Sequence, residues 1–250
     1  MIKKTLQSTY AIWFAIVFAF TFIPLYPVFL ILLSHKSGYY LANKLRKLWA
    51  LLIMLFSGLW ISIKKENQNM KSSLPCIYVS NHSSYLDILC MSIIARGNYM
   101  FLAKKELKKI PLFRVFFRTV DVAVDRKNNV EAAKSYKQTE ERIKEGYSFI
   151  IYPEGTIGNQ APRLASFKNG AFKLAIENEL PIVPVTMLDN YKRLVHKNGI
   201  SGSPGQMRTV IHNPIETKGL TKEDIPALKS KVYTIIENTL IEYKIIEKND

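Results

Sequence analysis

The sequence predicts an α/β fold, a mixed sheet flanked by helices, behind an apolar helical membrane anchor at the amino terminus. Three observations predict it. Beyond residue 66, short apolar runs bounded by turn residues alternate with longer amphipathic stretches, the pattern of strands and helices built into one sheet. From Ala11 to Leu33 there is no charged residue, and as a helix that run extends about 35 Å, enough to cross a hydrocarbon core. The 250 residues are 48% hydrophobic with 22% charged, so the apolar excess is concentrated in segments.

Pro24 and Pro27 interrupt the first run, and a second uncharged run from Leu48 to Ile63 spans only about 24 Å as a helix. Basic residues flank both: Lys3 and Lys4 before, Lys36, Lys44, Arg46 and Lys47 between, Lys64 and Lys65 after. Positive charge on every side gives no orientation by loop asymmetry. It suits a helical hairpin dipping into one leaflet, with its cations on head groups, at least as well as two full spans. Signal-peptide cleavage is the alternative for the first run, but its length, its prolines and the lack of a small-residue cleavage site favour a retained anchor. The polar stretch from Glu66 to Ser73 reads as a linker. Residues 1–66 are therefore expected to form the membrane-anchoring hairpin and 67–250 the α/β domain.

Strands are expected at Ile77 to Ser80, Tyr99 to Ala103, Val120 to Val124, Phe149 to Tyr152, Ile182 to Met187 and Arg208 to His212. Helices are expected near Tyr85 to Ala95, Lys104 to Phe117, Val130 to Glu145 and Gly170 to Glu179, with a last one from Lys222 to about Ile246. No internal repeat or low-complexity tract is present. Thirty-five Lys and Arg against 20 Asp and Glu leave a net charge of +15, which favours anionic partners: phosphate groups, an acidic carrier protein, an anionic bilayer or nucleic acid. Cys76 and Cys90, the two cysteines, lie on apolar segments without metal spacing or a CxxC, and read as reduced core thiols.

Asn81-His82-Ser83-Ser84-Tyr85-Leu86-Asp87 sits at an expected strand-to-helix turn. On a continuous helix His82 and Asp87 would diverge by roughly 140°, so they meet only if His82 lies in the turn. There a carboxylate can accept the imidazole N–H, fix the tautomer and leave the other nitrogen as a general base. Ser84 and Asp87 also have the spacing of a helix-capping box, which leaves a plain loop histidine open. Asp125-Arg126 closes another expected strand; a guanidinium there can clamp a phosphate, and a surface ion pair serves equally well. In Tyr152-Pro153-Glu154-Gly155-Thr156 the glycine permits close approach or unusual φ, Thr156 offers a hydroxyl and Glu154 an acceptor, although a plain turn has the same composition. The chain has no GxSxG, GxGxxG, P-loop, HExxH or zinc-spaced cluster.

Taken together, Asn81-His82-x-x-x-x-Asp87 and Tyr152-Pro153-Glu154-Gly155-Thr156 resemble the first and third motifs of the glycerolipid acyltransferases, specifically the bacterial 1-acylglycerol-3-phosphate acyltransferases. Asp125-Arg126 matches the end of the second motif, and Pro181-Ile182-Val183-Pro184-Val185 the fourth. The resemblance runs from about Leu74 to Pro214. It implies a glycerol-3-phosphate acyltransferase-like fold and direct transfer of an acyl chain from an acyl carrier protein or coenzyme A thioester to lysophosphatidic acid, giving phosphatidic acid in phospholipid biosynthesis. It implies His82 as base, oriented by Asp87, with no metal or bound cofactor, and an enzyme on the cytoplasmic side of the inner membrane. Lys104, in Lys104-Lys105-Glu106-Leu107, is carried over as a substrate contact; Lys105 joins it on charge and proximity. With Arg126 they would neutralise the acceptor phosphate, while Glu154, Gly155 and Thr156 shape its pocket.

Arg114 stands where the family has glycine, Tyr152 where it has phenylalanine, and Ile157 where it has arginine. The last departure removes one phosphate contact, which Arg163 or Lys168 would replace; Lys168 belongs to Phe167-Lys168-Asn169-Gly170-Ala171, similar to a further family segment. Phe113, Phe116 and Phe117 can line an acyl-chain groove or fill the core. Ile157 also keeps open an acyltransferase for another lysolipid, such as an aminolipid. A basic membrane-bound scaffold would explain charge and anchor but not the ordered motifs, and nucleic-acid binding would explain the charge alone.

Overall fold

The computed structural model describes residues 2–67, 74–104, 114–124, 129–158, 160–195 and 200–247. Two helices come first, α1 (Ile2–Leu32) and α2 (Tyr39–Phe56), packed along one another. They are followed by a seven-stranded sheet, in which β1 (Leu59–Lys65), β2 (Ile77–Ser80), β3 (Tyr99–Lys104), β4 (Val122–Val124), β5 (Ser148–Ile151), β6 (Ile182–Met187) and β9 (Gly205–Ile211) lie in the order β1-β9-β6-β2-β5-β3-β4. Only the β6 to β9 pairing is antiparallel, so the expected mixed α/β sheet is present. β7 (Leu194–Val195) and β8 (Ser201–Gly202) form a separate small hairpin.

The parallel strands are linked by crossover helices, as parallel pairing requires: α3 (Leu86–Ile94), α4 (Arg114–Thr119), α5 (Asn129–Lys144) and α6 (Gly170–Glu177). A four-residue α7 (Asn190–Arg193) leads into β7, and α8 (Ile225–Glu242) closes the chain against β6. β2, β5 and β6 are buried at every position, which is why they read as unbroken apolar runs. Because β2 to β6 run in one direction, their carboxyl ends share one edge of the sheet, where open α/β sheets place ligands.

The second apolar run is two elements instead of one helix. Gly58 adopts φ +63° after Phe56, a left-handed conformation that ends a helix and favours glycine. The chain then enters the sheet as β1, paired from Leu59↔Gly205 to Lys65↔Ile211. The boundary expected at residue 66 therefore falls after a strand that already belongs to the sheet. α2 is also tied to the α/β layer: Asn43 Nδ2 donates to the Tyr99 carbonyl at 2.9 Å, and the buried Arg46 guanidinium meets both carboxylate oxygens of Asp121. The helix expected from Lys104 to Phe117 is likewise revised, since Lys104 ends β3 and the described helix is Arg114–Thr119; residues 105–113 lie outside the described residues.

α1 runs unbroken through Pro24 and Pro27. Its inner side joins the core, with Phe22 packed on Trp49 at 4.7 Å between ring centroids and Phe29 on Phe116 at 5.0 Å. Its outer side leaves Ile12, Trp13, Ile16, Phe20, Ile23 and Ile31 exposed. Within Thr5–Leu32 an 18-residue window reaches a mean hydropathy of 2.4, and the segment is by length and composition long and apolar enough to cross a membrane.

Candidate active site

His82 lies two residues past the end of β2, in the turn before α3, the position that lets it meet Asp87 in the first turn of that helix. Nδ1 of His82 is 2.9 Å from Oδ2 of Asp87. The carboxylate is fully buried, and Oδ2 also accepts the backbone N–H groups of Ser83 at 2.7 Å and Ser84 at 2.9 Å. With its acceptor held by two amides at a helix start, the imidazole takes the tautomer with hydrogen on Nδ1, which presents the Nε2 lone pair. The His82 side chain is 14% exposed, so the pair is sheltered but reachable.

Neighbouring strand ends hold this turn in place. Asn81 bridges β2 to β6 with two hydrogen bonds, accepting from Met187 N at 2.8 Å and donating to Met187 O at 3.0 Å. Tyr152, just past β5, stacks on the imidazole with centroids 4.2 Å apart and planes 17° apart. Its hydroxyl is buried without a hydrogen-bond partner among the described residues, and burial pushes its pKa well above 10. A phenylalanine at this position would leave no such orphan group.

Glu154 does something the sequence did not indicate. One carboxylate oxygen accepts His82 N at 2.8 Å and the other accepts Ala165 N at 2.9 Å. The residue is buried, and its pKa is raised, burial outweighing the two backbone bonds. Each oxygen thus takes a backbone donor that fixes the loop around His82. Gly155 takes φ +84° in the turn that follows, a conformation that excludes most side chains, and Thr156 is exposed. Ile157 is half-buried, and Lys168 is exposed, its backbone N–H bonded to the Pro153 carbonyl at 2.9 Å. Lys104 closes β3 at the same sheet edge, while Lys105 and Arg126 lie outside the described residues.

Beside Tyr152 a hollow of about 290 Å³ opens between the carboxyl ends of β3 to β5 and helices α5 and α6, lined by Leu102, Val124, Tyr136, Ile151, Ala171 and Leu174 among others. Lys168 is at its lining. Of the aromatic residues that could line a groove or fill the core, Phe116 is buried against Phe22 and Phe29 and Phe117 is buried as well, while Phe113 lies outside the described residues. Both cysteines are buried free thiols. Burial pushes Cys76 up to about 11 and Cys90 up to about 12, which keeps them protonated and unreactive.

The arrangement is a polarised imidazole at the carboxyl edge of a parallel sheet, beside an apolar hollow. The sequence model of a family described as Acyltransferase matches residues 62–188, a span that includes both His82 and Glu154. The chain belongs to the acyltransferase family. A protein of Schizosaccharomyces pombe described as an uncharacterized acyltransferase is 32% identical over 183 residues, covering 72% of this chain and 65% of that protein. A chloroplastic 1-acyl-sn-glycerol-3-phosphate acyltransferase of Brassica napus is 32% identical over 175 residues, covering 68% and 48%. The 1-acyl-sn-glycerol-3-phosphate acyltransferase of Haemophilus influenzae is 29% identical over 177 residues, covering 70% and 72%. This chain therefore spans about two thirds and about half the length of the first two. The crystal structure of a 1-acyl-sn-glycerophosphate acyltransferase from Thermotoga maritima superposes with TM-score 0.74 over 99% of both chains at 23% identity, a likeness of fold.

Proposed function

We propose that this acyltransferase moves an acyl chain from a thioester of acyl carrier protein or coenzyme A to the free hydroxyl of 1-acylglycerol-3-phosphate, giving phosphatidic acid for phospholipid synthesis. The observation that carries the reading is the His82 Nδ1 to Asp87 Oδ2 contact of 2.9 Å at the strand edge. Nε2 of His82 takes the hydroxyl proton as the acceptor oxygen attacks the thioester carbonyl. As the tetrahedral intermediate collapses, its carbon–sulfur bond breaks and the imidazolium returns the proton to the departing thiolate. The Asp87 carboxylate stabilises the imidazolium in between. The high pKa values of both thiols favour this direct transfer over an acyl-cysteine.

Lys104, Lys105, Arg126 and Lys168 are assigned to the acceptor phosphate, with Lys168 supplying charge in place of the arginine replaced by Ile157. Gly155 and Thr156 shape the loop beside it, and Glu154 keeps that loop against His82. The hollow beside Tyr152 suits an acyl chain, because most of its lining is apolar, with Ser135, Tyr136, Thr139 and Lys168 as its polar members. Chemistry and binding require no metal or resident cofactor. The net charge of +15 suits an anionic bilayer and an acidic carrier or the phosphates of coenzyme A.

The exposed side of α1, together with Leu41, Leu48, Leu51 and Leu55 of α2, is assigned to membrane attachment on the cytoplasmic face. α1 is fastened to the domain from Tyr10, whose hydroxyl donates to Ser57 O, to Phe29 on Phe116. That lengthwise attachment favours a hairpin lying in one leaflet over an independent spanning helix. The acceptor assignment is tested by offering the purified protein a labelled acyl thioester with 1-acylglycerol-3-phosphate or with a phosphate-free lysolipid. Transfer to the phosphate-bearing acceptor is expected to dominate; preference for the phosphate-free lipid would keep the chemistry and overturn the acceptor.

A further inference from the structure

One oxygen of the Asp87 carboxylate is supplied from a part of the chain that carries no sequence motif. Oδ1, buried like the rest of the residue, accepts the Asn190 side-chain amide at 2.7 Å. Asn190 begins α7, just past β6, and is itself completely buried. Only the NH2 end of its amide can face a carboxylate oxygen so closely, so its direction is fixed. The same nitrogen lies 3.4 Å from the Cys90 thiol.

The segment that carries Asn190 is clamped on both sides. Asn81, the neighbour of His82, bonds Met187 through both its amide atoms. Asp189 is held by Arg208 through the backbone N–H at 3.1 Å and the guanidinium at 2.7 and 2.8 Å. On the far side, Ser84 Oγ donates to the Leu194 carbonyl at 2.8 Å. The end of β6 and the start of α7 are thereby locked to the turn that bears His82.

We infer that Asn190 is a positioning residue for the His82–Asp87 pair. It fills the last acceptor site on Asp87 and fixes the carboxylate plane, so that Oδ2 stays directed at His82 Nδ1. The groups facing Asp87 are His82, the amides of Ser83 and Ser84, Asn190 and the Cys90 thiol. Among these described neighbours, Asn190 is the one side-chain donor to Oδ1. Its removal leaves a buried oxygen unpaired and lets the carboxylate rotate or take a proton.

Two substitutions separate this role from simple packing. Asn190→Ala deletes the donor. Asn190→Asp keeps the shape but sets two carboxyl groups side by side; they hold one proton between them, and the protonated member can still donate to Asp87. The kinetic arm rests on the proposed acyl transfer. A second arm does not: the 1H resonance of the His82 Nδ1 proton, observed in 15N-histidine-labelled protein, reports the bond to Asp87 whether or not the protein turns over any substrate.

Asn190→Ala is expected to lower kcat by about 10- to 100-fold, the scale of a misplaced catalytic group, with KM nearly unchanged and the Nδ1 proton shifted or lost. Asn190→Asp is expected to retain activity where the shared proton is held and to lose it at higher pH, while the parent rate stays level. Should Asn190→Ala fail to fold, the isosteric aspartate carries the test. A folded Asn190→Ala with parental kcat and an unmoved Nδ1 proton would overturn the inference, as would an Asn190→Asp pH profile parallel to that of the parent. If the parent itself transfers no acyl chain but the proton still responds to Asn190, the function falls and the positioning role stands.

Discussion

Replacing Asp87 by asparagine removes one charge from the site and almost no volume. Oδ2 must continue to accept Ser83 N and Ser84 N, at 2.7 and 2.9 Å, so the amide oxygen of the new side chain occupies that position. Its NH2 then faces Asn190, which can turn its own oxygen inward, since Asn190 Oδ1 has no hydrogen-bond partner among the described residues. The hydrogen bond to His82 survives with a neutral acceptor. What is lost is the attraction between carboxylate and imidazolium in the transition state. Two unit charges about 4 Å apart at an effective dielectric near 20 interact by about 4 kcal/mol, and at 1.36 kcal/mol per decade this is about a thousandfold in kcat. KM should stay within about twofold, because the charge acts only once the proton has moved. The assay is steady-state acyl transfer in detergent micelles, with circular dichroism to confirm folding. A folded Asp87→Asn variant with kcat within about tenfold of the parent would refute the electrostatic role assigned to Asp87.

Other perturbations read different parts of the structure. Tyr152→Phe removes a buried hydroxyl that has no hydrogen-bond partner among the described residues and keeps the ring on His82; a thermal melt should show equal or greater stability, by up to about 1 kcal/mol, with kcat nearly parental. Arg46→Met leaves Asp121 buried without its guanidinium, a loss of about 3–5 kcal/mol that should lower Tm by about 6–20 °C for a chain of this size; an unchanged Tm would show that α2 does not depend on this pair. For Asp189, burial acts to raise the pKa, but the bonds from Arg208 hold it below 3.8. Its contribution is therefore complete above that value and is lost as pH falls through the lower, folded-state pKa. Denaturant melts of the parent and Arg208→Gln should differ by about 2–3 kcal/mol at pH 7, and the gap should begin to close only as pH falls below 3.8 toward the lower, folded-state pKa; a gap that stays constant in strong acid would contradict the assignment.

The central strands were legible because burial on both faces makes them continuous apolar runs: Ile77 to Ser80 and Ile182 to Met187 stand where the sequence placed them. β1 was not legible. Leu59 to Ile63 continues the uncharged stretch of α2 without a break in composition, and only the left-handed Gly58 and the partner strand β9 reveal the change. The meeting of His82 and Asp87 followed from turn geometry five residues apart. Asn190 lies 103 residues from Asp87 and carries no local pattern, so only the pairing of β2 with β6 brings it there. The polar face of α2 was hidden for the same reason: Arg46 read as a flank of an apolar segment and Asn43 drew no reading, until Tyr99 and Asp121 are seen opposite them. Glu154 was visible as a motif member, but its task depends on His82 N and Ala165 N, which no spacing rule connects.

The most direct test of the account is transfer of a labelled acyl chain from its thioester to 1-acylglycerol-3-phosphate by the parent and by His82→Ala, in detergent or vesicles. The account predicts phosphatidic acid from the parent and loss of turnover in a variant that still folds. Equal turnover by His82→Ala would contradict it.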